Sequence, residues 1–134
     1  MPKPTVIVSD IHLGAVPEAV EIEFIMFLRE WNGRAELMLI NGDLFEFWFE
    51  YRTVIPSEYF QVLRALAELR DSGVRLMLVG GNHDAWGGPF LRSEIGVELV
   101  DGPTELQLAG RQALVAHGDG LGPGDLGYKA LRSV

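Results

Sequence analysis

No cysteine occurs among the 134 residues, so disulfide bonds and thiolate zinc sites are excluded. Basic residues are also scarce, 11 against 19 acidic ones for a net charge of -8. That balance argues against a broad basic surface gripping a nucleic-acid polymer, and an anionic substrate would need positive charge from another source. No apolar run approaches the roughly 18 residues of a membrane-spanning helix. The opening Met1-Pro2-Lys3-Pro4 leads directly into a strand-like run. The expectation is a soluble, cytoplasmic chain with at most peripheral membrane contact. No G-x-G-x-x-G follows the first strand-like run, and no Gly-rich loop ends in Lys-Ser or Lys-Thr, which removes the two common loop cradles for phosphate. Repeats, low-complexity tracts and linkers are absent too, so residues 1–134 read as one domain.

What is present is a set of short apolar runs with abrupt polar ends. Thr5 to Ser9 is β-branched and reads as a short central parallel strand ending at Asp10 and His12. Phe24, Phe27, Leu28 and Trp31 recur at helical spacing between Pro17 and a stop at Asn32-Gly33. Leu37 to Ile40 is a second strand. A helix capped by Ser57 follows, with a stripe of Tyr59, Val62, Leu63, Leu66 and Leu69 before Gly73, and then a third strand, Val74 to Val79. Strand, helix, strand, helix, strand implies an α/β fold whose site lies outside the carboxyl ends of a parallel sheet. A short helix within Ala85 to Glu94 and a strand at Val97 to Val100 come next. Glu105 to Leu108 and Ala113 to Ala116 read as an antiparallel pair about Ala109-Gly110-Arg111, making the sheet mixed. Asp125 to Val134 reads as the opening of a helix.

The polar ends carry the chemistry. Leu39-Ile40-Asn41-Gly42-Asp43, Val6 to His12, Leu76 to Asp84 and Leu114 to Asp119 each finish in Asp, Asn or His, and all three histidines, His12, His83 and His117, fall in such ends. Singly, Asp10 and Asp43 read as turn or capping carboxylates, and Asn82 as a turn residue beside Gly80 and Gly81. Together with the histidines they read better as a metal site. Oxygen and imidazole donors without sulfur suit Mn, Fe, Zn or Mg, and a shared carboxylate would hold two ions about 3.5 to 4 Å apart. Such ions would bring the positive charge that the composition lacks.

The ordered set Asp10-Ile11-His12, Gly42-Asp43, Gly81-Asn82-His83-Asp84 and His117-Gly118-Asp119 resembles the calcineurin-like metallophosphoesterase family. Ser9 to Gly14, Asn41 to Trp48, and His117 to Asp119 followed by Asp125 and Tyr128 are similar to its UDP-2,3-diacylglucosamine pyrophosphatase branch. The resemblance implies an α-β-β-α sandwich with mixed sheets and two divalent ions, manganese first. Asp10 and His12 would bind one ion, Asp43 would bridge, and Asn82 and His117 would bind the other. His83, oriented by Asp84, would stabilise the transition state or protonate the leaving oxygen. Trp48, Asp119, Asp125 and Tyr128 would bind a phosphoester or sugar-nucleotide substrate, lipid-linked in this branch and tied to lipid A precursors. The branch often has Arg where His83 stands. The family also places a Gly-His-x-His motif near its C-terminus, whereas this chain has no histidine after His117. The expectation is therefore an N-terminal portion of a longer protein that by itself binds metal weakly.

Three residues and one stretch keep a plainer reading. Asp119 and Asp125 read as loop carboxylates or partners of ligands, and Glu46 as either a partner of a ligand or a helix-start acid. Phe45, Phe47, Trp48, Phe49 and Tyr51 read by default as core, the sharper alternative being an acyl-chain groove. Rival functions are a phosphodiesterase or phosphatase for soluble nucleotides, and a metal-free module of the same fold.

Overall fold

The computed structural model describes residues 3–50, 55–80, 88–100, 104–115 and, for the backbone, 132–133. Four strands, β1 (Thr5–Val8), β2 (Leu37–Asn41), β3 (Arg75–Val79) and β4 (Val97–Val100), pair in that spatial order and are all parallel. Alternation along the strands divides the core. Met38, Ile40, Leu76 and Leu78 face the helices, while Leu37, Leu39, Met77 and Val79 face a second sheet. Burial on both faces is why β2 is continuously apolar in sequence.

Helix α1 (Glu18–Glu30) starts at Pro17, whose fixed φ suits a helix entry, and places Glu18 and Glu21 at the positive end of the helix dipole with Arg29 at the negative end. It buries Phe24, Ile25 and Leu28. Helix α2 (Phe60–Asp71) buries Val62, Leu63, Ala65, Leu66 and Leu69. Each large side chain among these contributes about 1.5–3 kcal/mol through removal from water. The two helices pack on each other as well as on the sheet. Ser72 joins their ends, with its Oγ accepting from Gly33 N at 2.8 Å and donating to Leu69 O at 2.6 Å.

The second sheet consists of β5 (Thr104–Leu108), β6 (Arg111–Val115) and the two-residue β7 (Arg132–Ser133), all antiparallel. A two-residue turn with both Ala109 and Gly110 at positive φ, the mirror-image geometry that matches strand twist, joins β5 to β6. Leu108, Ala113 and Val115 close on the outer face of the parallel sheet. Helices, parallel sheet and antiparallel sheet thus form three successive layers among the described residues.

Several expectations are refined. The mixed sheet separates into two sheets, each of one kind, because the hairpin folds over the face of β2 and β3 instead of extending the parallel edge. β1 stands at the edge of the four described strands, not at their centre, and Ile7 on it is 39% exposed. Ser57 opens a 3-10 turn (Ser57–Tyr59) without a side-chain cap. The short helix after residue 85 is a π-helical turn, Phe90–Ile95, closed by left-handed Gly96. Arg132–Ser133 pair with the free edge of β6 and so are extended, not helical.

Candidate metal centre

Past the ends of β1 and β2 the backbones stay zipped together. Asp10 N donates to Gly42 O at 3.2 Å, His12 N to Asp43 O at 2.9 Å, Leu13 N to Leu44 O at 2.9 Å, and Glu46 N returns to Leu13 O at 2.8 Å. Leu13, fully buried, forms the parallel bridge with Phe45 that anchors this extension. Its carbonyl also accepts from Tyr59 Oη at 3.1 Å. Gly14 is required beside it on two counts: its φ is +105°, and a Cβ would stand 2.5 Å from Tyr59 Oη.

Within this zipper Asp10, His12 and Asp43 have φ of 58°, 53° and 53°. Left-handed backbone costs an L-residue about 1–2 kcal/mol, though Asp and His tolerate it better than most. Three such residues in one place point to a functional constraint, not to an ordinary turn. The conformation turns exposed Asp10, half-buried His12 and buried Asp43 onto one point, where their donor atoms lie within 4.8 Å of one another.

His12 is held by its far side. Its Nδ1 lies 3.0 Å from Glu46 Oε2, which leaves Nε2 facing Asp10 Oδ1 and Asp43 Oδ2, each at 3.7 Å. That separation exceeds a hydrogen bond. It falls within twice the metal–ligand length of about 2.0–2.2 Å, so an ion between the three donors fits. A carboxylate behind a ligating histidine orients the ring and raises its basicity. Burial pulls the His12 pKa down, but the hydrogen bond to Glu46 and the charges of Asp43, Glu46 and Asp10 outweigh it and leave the pKa raised.

The sign of the pH effect follows. A raised histidine pKa contributes to stability fully below the ordinary histidine value, and that contribution fades as pH rises through the raised one. A metal ion must displace the same proton. Metal affinity is therefore expected to climb with pH through the His12 titration and then level off, with proton release shown by calorimetry in buffers of different ionisation enthalpy. Glu46→Gln is expected to move the rise to lower pH. A pH-independent affinity would mean that His12 is not a ligand.

The structure therefore brings together Asp10, His12 and Asp43 of the sequence-based candidates. Asn82, His83, Asp84, His117, Asp119, Asp125 and Tyr128 lie outside the described residues. Glu46 settles as the partner of His12, a role its sequence position left open. Trp48 has no exposed surface for a substrate to touch, because it stacks on Phe45 at 4.8 Å and packs near Tyr59 and Phe90. Among the described residues of that stretch, the exposed aromatic is Phe47.

A family model described as calcineurin-like phosphoesterase matches residues 3–128. The chain belongs to that family. The chain is 36% identical to the UDP-2,3-diacylglucosamine hydrolase of Porphyromonas gingivalis over 115 residues, 83% of this chain and 44% of the relative. It is 35% identical to the protein of the same name from Escherichia coli over 129 residues, 96% of this chain and 53% of the relative. The chain thus spans about half the length of these curated relatives. Among solved structures, the nuclease MPE of Pseudomonas putida superposes with a TM-score of 0.53 at 23% identity, over 77% of this chain and 50% of that one. That likeness shows the shared fold.

Proposed function

We propose that this chain carries the metal-binding half of a hydrolase that cleaves the diphosphate bond of UDP-2,3-diacylglucosamine, a lipid A precursor. The observation that carries the reading is the convergence of Asp10, His12 and Asp43 on one point, with His12 braced by Glu46. The names of the curated relatives support the substrate.

Asp10 and His12 would hold one divalent ion, Asp43 would bridge to a second, and Asn82 and His117 would complete the second. Manganese is our first choice, ahead of Fe, Zn and Mg. Bound ions would supply the charge that neutralises phosphoryl oxygens and acidifies water. Water adds to one phosphorus in line, the P–O–P anhydride bond breaks, and UMP and diacylglucosamine 1-phosphate result. His83, oriented by Asp84, would give a proton to the leaving oxygen. Asp119, Asp125 and Tyr128 would bind the sugar nucleotide, and exposed Phe47 would offer apolar surface to the acyl chains. No helix among the described residues is long and apolar enough to cross a membrane. We place the enzyme in the cytoplasm, meeting its lipid substrate at the inner membrane surface.

The test is manganese-dependent hydrolysis of UDP-2,3-diacylglucosamine beside soluble UDP-sugars and a bis-aryl phosphodiester. UMP and the sugar 1-phosphate are expected from the acylated substrate at the highest kcat/KM. Preference for the soluble compounds would move the substrate to free nucleotides. No turnover with any divalent ion would leave a binding module.

A further inference from the structure

Glu50 follows Asp43 and Glu46 on the segment leaving β2, and its carboxylate gathers four N–H donors. Oε2 accepts from the indole Nε1 of Trp48 at 3.0 Å and from the backbone N–H groups of Gly88 at 3.0 Å and Leu91 at 3.3 Å. Oε1 accepts from Phe90 N at 2.7 Å. Pro89 has no N–H, so every backbone donor from 88 to 91 ends on this one side chain. These are also the donors that a helical turn beginning at Phe90 leaves without partners of its own. Gly88 eases the approach, since a Cβ there would stand 3.1 Å from Glu50 Oε1 and push that carboxylate back by a few tenths of an ångström.

We propose that Glu50 is a positioning residue, locking the chain that enters at Gly88 to the segment that carries Asp43. This rests on the proposed roles of Asn82 and His83, which precede Gly88 by six and five residues. At the other end of the same stretch, Gly80 N donates to Val100 O at 2.9 Å. Gly80 and Gly88, the described residues on either side of 81–87, are thus each hydrogen-bonded to a neighbouring segment, one to β4 and the other to Glu50. The proposed bridging carboxylate and second-ion ligand follow different strands in the sequence, and Glu50 ties the segment after β2 directly to residues 88–91.

The chemistry requires an acid. Four converging donors suit a group that only accepts, and its charge strengthens each bond. Glutamine would turn an NH2 toward N–H groups. Aspartate falls one methylene short.

The test compares Glu50→Gln and Glu50→Ala with the parent protein by amide hydrogen exchange without metal and by Mn2+ titration. Exchange at Gly88, Phe90 and Leu91 is expected to quicken by roughly tenfold or more, most in Glu50→Ala, with β2 and β3 amides unchanged. Second-ion affinity is expected to fall by about tenfold while the first ion binds as before. Unchanged exchange at 88–91 would overturn the clamp. Equal weakening of both ions, or of neither, would reduce Glu50 to a general brace and overturn the positioning role. A parent protein that takes up one ion only would refute the two-ion reading of the site, and the exchange rates would still decide for or against the clamp.

Discussion

Asp43→Asn is expected to leave the protein folded while lowering its affinity for divalent metal by about 100-fold or more, beyond what loss of a supporting partner costs. Asparagine has nearly the same shape and tolerates the left-handed backbone that Asp43 adopts at φ 53°. The zipper contact also survives, because His12 N bonds the backbone oxygen of residue 43 and not its side chain. Only the charge is removed. Asp43→Ala mixes two effects, adding about 1–2 kcal/mol of backbone strain to the lost ligand. The Asp43 charge also helps raise the His12 pKa, so the asparagine variant should show His12 titrating at lower pH by NMR. Mn2+ affinity within a few-fold of the parent protein would remove Asp43 from the site.

Trp48→Ala is expected to cost about 3–5 kcal/mol, a large share of the 5–15 kcal/mol that holds a typical domain together. The indole is completely buried, with ring centroids 4.8 Å from Phe45 and 6.4 Å from Tyr59, so truncation opens a cavity under the zipper. It also takes a donor from Glu50. Trp48→Phe separates the two losses, keeping much of the volume without the N–H, and should cost about 1–3 kcal/mol. Urea unfolding monitored by circular dichroism gives both values. A loss below about 1 kcal/mol for the alanine variant would show that this aromatic cluster is not core.

Much of the architecture was legible because its signals are local. The stripe Tyr59, Val62, Leu63, Leu66 and Leu69 has one spacing that a helix can bury, and all five are buried. The runs at 37–40 and 76–79 are short, apolar and soon followed by Gly, which suits strands covered on both faces. Asp10, His12 and Asp43 stood out for the same reason, as polar residues placed where an apolar run stops. Ser57 misled because a good capping residue caps only when the next residues turn as an α-helix, and Pro56 with Ser57 begins a tighter turn. Trp48 and Phe47 are neighbours of similar hydropathy, and composition has no means of telling which one faces inward.

Residue type and spacing alone determined the order of strands and helices, the absence of sulfur chemistry and the candidate donors Asp10, His12 and Asp43. Tertiary structure decided the division into two sheets, the edge position of β1 among the described strands, the bracing of His12 by Glu46 and the grip of Glu50 on residues 88 to 91. The physical reason is range. Periodicity and turn chemistry act within a few residues, whereas Glu46 reaches His12 across 34 positions and Glu50 reaches Phe90 across 40. Such pairs exist only after the backbone has been folded, and no spacing rule along the chain encodes them.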